Sequence, residues 1–147
     1  MSDLVGTRPY LTYKGAQLML EAAIAKATAM GAPQCIAVVD AGGNLLAFAR
    51  MDGAKYLSVH TALAKARTAA SVGKPTWELD ETVGVRLALA SGGAITALKA
   101  GLPLKIDGVI VGGVGVGSGT AEEDMEVVRA AEEAFRAALA ESPVTRA

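Results

Sequence analysis

Residues 102–116 read LPLKIDGVIVGGVGV, two apolar runs separated by Asp107-Gly108. A type I′ turn needs positive φ at both central residues. Asp tolerates it and Gly adopts it freely, so the two runs are expected to fold back on each other as a β-hairpin. Downstream, Thr120-Ala-Glu-Glu123 has the spacing of a capping box and opens an Ala/Glu/Arg-rich helix to about Ala140. Upstream, CIAVVD (35–40) and LLAFAR (45–50) flank AGGN, a second hairpin around a glycine turn. Thr12 to Met30 carries apolar positions at Leu18, Ala22, Ala25 and Ala29 and is closed by Gly31 and Pro33, the pattern of a helix with a glycine stop. A further helix is expected from Ser58, read as its N-cap, to Val72, ended by Gly73-Lys74-Pro75. Between residues 76 and 101 the pattern is poor: a short helix around Val83 to Ala90, a Ser91-Gly92-Gly93 break, and no assignment for the remainder. The tail ESPVTRA reads as a frayed end. The order helix, hairpin, helix, hairpin, helix predicts an α/β (α+β) chain, a central antiparallel sheet flanked by helices.

With 147 residues, 52% of them hydrophobic and 20% charged, the chain has the make-up of one globular domain spanning 1–147 with a core at about 12–140. Residues 1–120 carry a net charge of +3 and residues 121–147 a net charge of −4. That split, with few aromatics, gives no coherent basic face for nucleic acid. The single cysteine, Cys35, cannot form an internal disulfide and suits a reducing compartment, where it reads as a small buried hydrophobe. The N-terminus lacks the features of an export signal, and the longest apolar stretch, Ala16 to Met30, contains Glu21 and Lys26. A cytoplasmic protein without membrane segments is the expectation.

Three blocks, VDAGGNLLAFARMDGA, AKARTA and GLPLKIDGVIVGGVGVGSGTAEEDMEV, resemble in their order the GlcG/HbpS family, the haem-degrading or domain-of-unknown-function family that is itself similar to the C-terminal domain of PduO-type proteins. The resemblance runs from about Tyr13 to Phe135 and is weaker around residues 77–93. It implies a profilin-like fold, assembly as a dimer or larger homo-oligomer, and haem as the leading candidate ligand. Family members often place a carboxylate or another polar residue where this chain has His60.

His60 is the only histidine. A neutral imidazole can ligate haem iron or act as a general base near neutral pH, and on a helix His60, Ala64 and Arg67 share one face. A hydrogen-bonded or surface histidine is the competing reading. No acidic residue lies between Asp52 and Glu78, whereas Lys55, Lys65, Arg67 and Lys74 do, so local potential there is positive. Arg50, Asp52, Lys65 and Arg67 are therefore candidate contacts for a small carboxylate-bearing ligand. The competing reading is a solvated helix face paired with acids of the last helix such as Asp124 and Glu126. Gly117, Ser118, Gly119 and Thr120 form a helix-entry loop whose N–H groups could hold an anion, although the run fails the G-x-G-x-x-G and P-loop templates. Its structural alternative is close packing of strand and helix. Trp77 and Phe48 read as core.

Two function classes compete with haem binding. One is a cofactor-independent isomerase, lyase or hydrolase acting on an oxo or hydroxy acid, with His60 or Asp124 moving the proton. The other is an accessory interaction domain.

Overall fold

Asp107 and Gly108 adopt φ of 49° and 79°, the pair of positive angles the turn requires. The strands they join are β3 (Gly101–Ile106) and β4 (Val109–Gly117). The first hairpin forms as expected from β1 (Cys35–Asp40) and β2 (Leu45–Arg50). In this computed structural model, which describes residues 2–142, β1 pairs antiparallel with β4, giving one four-stranded antiparallel sheet in the order β2-β1-β4-β3. The tail beyond residue 142 lies outside the described residues.

Four α-helices accompany the sheet: α1 (Tyr13–Met30), α2 (Leu57–Val72), α3 (Glu81–Ala90) and α4 (Ala121–Glu141). The Thr12 hydroxyl caps α1 by accepting from the Gly15 N–H, and Gly31 ends it in the left-handed region. The Thr120–Glu123 capping box is present at α4. Ser58 is not the cap of α2. The chain turns at residues 52–53, the Ser58 N–H already donates to the Lys55 carbonyl, and Ser58 is buried in the first helical turn behind Tyr56. The short helix expected around Val83 to Ala90 forms as α3, starting two residues earlier at Glu81 and capped by the Asp80 carboxylate, and the stretch before it holds a short 3-10 turn, Thr76–Glu78.

Because side chains alternate along a strand, the two faces of the sheet receive different residues. Cys35, Ala37 and Val39 of β1 face α2, where Ala62, Ala66 and Ala70 meet them. Ile36, Val38, Val114 and Val116 face the other way, into a core with Met19, Leu20 and Ala23 of α1 and Val127, Val128, Ala131 and Phe135 of α4. The glycines of β4 explain the asymmetry. A Cβ at Gly113 would run into the Ala66 carbonyl oxygen, and one at Gly115 into that of Ala62. The α2 backbone therefore lies directly on the strand, with α2 on one layer and α1 with α4 on the other. Phe48 is half-buried against the α2 side, and Trp77, also half-buried, carries the Arg129 guanidinium 5.9 Å above its ring instead of sitting in the core.

Candidate functional site

β1 opposes β4 with Cys35 facing Gly117 and Asp40 facing Gly112, so the loop after β4 and the β1–β2 turn lie at opposite ends of the sheet. Each end gathers a different set of the residues singled out from the sequence.

At the Gly117 end the donors are engaged within the fold. The Gly119 N–H donates to Asp124 Oδ1 at 2.9 Å and to Gln34 Oε1 at 3.2 Å, and the Thr120 N–H donates to Glu123 Oε1. Ser118, at φ 101°, accepts from the Lys55 N–H. Gly117 is roofed by α2, since a Cβ there would sit 2.9 Å from Thr61 Oγ1. Lys65 and Asp124 form an ion pair here at 3.2 Å, the pairing of helix cations with acids of the last helix that competed with the ligand reading, although it is buried and not solvated, and Lys65 Nζ also donates to the Val116 carbonyl at 2.6 Å. Burial pushes the Asp124 carboxyl up and pulls the Lys65 ammonium down, in each case against the attraction of the partner. The cationic second helix and the glycine-entered last helix do come together. They meet in direct contact, and neither of the two best-formed grooves among the described residues opens between them. The Gln34 amide nitrogen beside this cluster is buried without a hydrogen-bond partner.

At the Asp40 end two grooves flank the turn, and both reach Ala41. One, on the α2 side, encloses about 250 Å³ and is lined by Ala41, Gly42, Gly43, Arg67, Ser71 and Ile95. Arg67 Nε donates to the Gly43 carbonyl at 3.0 Å. The second, on the α1 side, encloses about 410 Å³ over Leu46 and Val111, with Arg8, Tyr10 and Tyr13 at its rim. None of those three rim residues was a candidate from the sequence. The signal was the Arg-Pro-Tyr-x-x-Tyr spacing just before α1, which has meaning only once Asp40 is known to end beside it. Asp40 itself holds the turn: its Oδ1 accepts from the Gly42 and Asn44 N–H groups at 2.9 Å.

His60 stands exposed on α2, away from the sheet. One turn earlier Tyr56 and Leu57 are also in solvent, 74% and 60% exposed, so the imidazole sits beside an aromatic and an aliphatic side chain with no protein partner among the described residues. Arg50 and Asp52 are exposed at the β2–α2 junction, where Gly53 turns the chain at φ 90°. The structure thus joins Lys65 to Asp124, puts Arg67 in a groove with Ser71, and leaves His60, Arg50 and Asp52 at the surface. Among the described residues no three His, Cys, Asp or Glu side chains converge as a metal site, and no helix is long and apolar enough to cross a membrane.

A family model described as haem-degrading protein HbpS-like matches residues 11–133. An uncharacterized 15.0 kDa protein of Citrobacter freundii, from the dhaT-dhaS intergenic region, is 35% identical over 130 residues, 85% of this chain and 92% of that one. The crystal structure of Klebsiella pneumoniae protein ORFY matches with a TM-score of 0.85 at 32% identity, covering 93% of this chain and 98% of that one. A PduOC:heme complex matches with a TM-score of 0.79 at 28% identity, covering 86% of this chain and 95% of that one.

Proposed function

This chain belongs to the HbpS-like family, and from that premise we propose that it binds haem, as a homo-oligomer and in the cytoplasm. The observation that carries the reading is the lone histidine standing free on α2 beside exposed Tyr56 and Leu57. Were haem bound, a ring nitrogen of His60 would be the group that holds its iron. The His60 ring has no hydrogen bond to a protein group among the described residues, so its lone pair and orientation are unconstrained by the fold. Tyr56 and Leu57, one turn away on the same side of the helix, supply apolar area against which a flat macrocycle can lose water. A solved heme complex of a protein with the same fold supports the choice of ligand.

A site on the outer face of a helix covers one side of a flat ligand only. A second copy of the chain is the partner that covers the other, which is the reason for reading the protein as an oligomer. The cytoplasmic setting rests on Cys35, buried and unpaired. Titration of the purified protein with hemin is expected to shift the Soret band, and His60→Ala is expected to weaken the shift while leaving the melting temperature unchanged. A wild-type spectrum identical to free hemin would end the haem reading. A shift that survives intact in His60→Ala would remove the imidazole from it.

A further inference from the structure

We infer that the groove on the α1 side of the β1–β2 turn is a second ligand site, one that takes a small flat-ring carboxylic acid: Arg8 grips the carboxylate, and the ring lies over Leu46 and Val111 beside Tyr10 and Tyr13. The site is separate from His60, because α1 and α2 cover opposite faces of the sheet. Its volume of about 410 Å³ falls within the roughly 300–1,000 Å³ of small-molecule sites.

The fold holds the rim in place. Asp40, the last residue of β1, lies opposite Gly112, where a Cβ would be 3.1 Å from Leu11 Cδ2, so the missing side chain lets Leu11 pack down onto the strand. Leu11 is 5% exposed and Thr12 caps α1, and these two anchors fix the backbone on either side of which Tyr10 and Tyr13 stand. Pro9 has a fixed φ and confines Arg8 before it to extended backbone, which narrows the directions from which the guanidinium can reach out. Tyr10 and Tyr13 are nonetheless 71% and 65% exposed, two aromatic rings left largely in water at the edge of an apolar floor.

Hydrogen bonding sets the sign of the ligand. Asp40 and Thr12, which line the groove, already accept: Asp40 Oδ1 from the Gly42 and Asn44 N–H groups and, with Oδ2, from the Asn44 side-chain amide, and Thr12 Oγ1 from the Gly15 N–H. The donors are open. The Arg8 fork and the two phenol hydroxyls make no hydrogen bond or ion pair with a side chain among the described residues. A groove whose acceptors are engaged and whose donors are free suits a ligand rich in acceptors, and a planar fork with free N–H edges matches a carboxylate. The floor and the tyrosine rings suit the rest of the molecule, since an aromatic ring stacks on them and loses water against Leu46 and Val111.

Fluorescence anisotropy of naphthoate, a flat fluorescent carboxylate, tests this against naphthylmethanol and naphthylmethylamine, which carry the same rings with a neutral and a cationic head. The proteins are the wild type, Arg8→Gln, Tyr10→Ser and His60→Ala, each changed at an exposed position. Naphthoate is expected to bind the wild type most tightly of the three probes. Arg8→Gln is expected to weaken naphthoate about 10- to 100-fold, the range of one charge-assisted contact, and to leave the alcohol unaffected. Tyr10→Ser is expected to weaken acid and alcohol alike, and His60→Ala neither. Equal weakening of acid and alcohol in Arg8→Gln would mean that Arg8 only shapes the wall, and a preference for the amine would mean that Asp40 sets the sign; either overturns the inference. Naphthoate binding lost in His60→Ala would move the probe to α2, and absence of naphthoate binding to the wild type would remove the site, in both cases whether or not hemin binds.

Discussion

Lys65 and Asp124 are each only 5% exposed, and they reach each other from helices on opposite layers of the sheet, 59 residues apart in the chain. For both groups burial is the largest influence, pulling the lysine down and pushing the aspartate up. A raised carboxyl means that the folded state holds the proton more tightly than the unfolded chain. Its contribution to stability is therefore fully present below the ordinary value of 3.8 and is lost as pH rises through the raised one. A lowered lysine has the opposite sense, adding stability only toward its ordinary value of 10.5. Burial thus disfavours the ionised form of both groups, so the worth of the pair lies in the contact it makes between layers. Lys65→Met strands the carboxylate and is expected to destabilise by about 3–5 kcal/mol, whereas Lys65→Met with Asp124→Leu recovers most of the loss. The urea midpoints of the two single variants and the double variant check this, and simple additivity would contradict it. The deficit of Lys65→Met should also shrink as pH falls and Asp124 takes up its proton.

The β4 strand and the β1–β2 turn show what was legible and what was not. Asp107-Gly108, the capping box and Gly31 each carry their geometry in two to four adjacent residues, and all three form as read. The short helix around Val83 to Ala90 was legible, but its start at Glu81 and its Asp80 cap were not read, and with Val83, Val85 and Leu89 facing solvent no clean amphipathic period marks the helix. Gly117, Ser118, Gly119 and Thr120 suggested an anion loop, with close packing as the alternative, and the packing reading extends back along the strand to the glycines at 113, 115 and 117. Their spacing of two is the mark of one strand face on which another backbone lies. The sequence offered Lys65 as a ligand contact and, as the competing reading, as one of the helix cations paired with acids of the last helix such as Asp124; the pair forms, but nothing local shows that it is buried between the two layers. Gly115→Ala forces a methyl against the Ala62 carbonyl and is expected to destabilise by about 1–3 kcal/mol or more, read from the thermal midpoint. In the other hairpin, burial tends to raise the Asp40 carboxyl, but the hydrogen bonds from Asn44 and Gly42 and the nearby charge of Arg8 outweigh it and leave the group below its usual value. A lowered carboxyl contributes stability above 3.8 and loses it as pH falls through the lowered value. Asp40→Asn should accordingly be less stable than wild type at neutral pH, with the gap in melting temperature closing in that acid range.

On the scale of the whole molecule, α2 divides the surface into a sealed end and an open one. The Gly117 end is closed by Lys65, Asp124 and the engaged N–H groups, and the Asp40 end carries both grooves. Between α2 and β3 the chain makes the excursion that contains α3. This helix packs against no other helix or strand extensively, and its inner contact is Gly84 on Ala97. Val85 and Leu89, one turn apart on one side, are 62% and 81% exposed. Fully burying such a side chain is worth about 1.5–3 kcal/mol, so a face of this kind gains by meeting its equal on a second copy. If the protein is the homo-oligomer proposed, the wild type sediments as a dimer or larger at micromolar concentration. Val85→Glu with Leu89→Glu then places two charges on each side of the contact, and is expected to yield folded monomer with an unchanged circular dichroism spectrum. A wild type that is monomeric would sink the oligomer, and a double variant that still assembles would move the interface off α3. Hemin titration of the monomeric variant then separates the roles of the two surfaces: binding that weakens when assembly is lost shows the ligand shared between copies, and binding that persists shows α2 sufficient by itself.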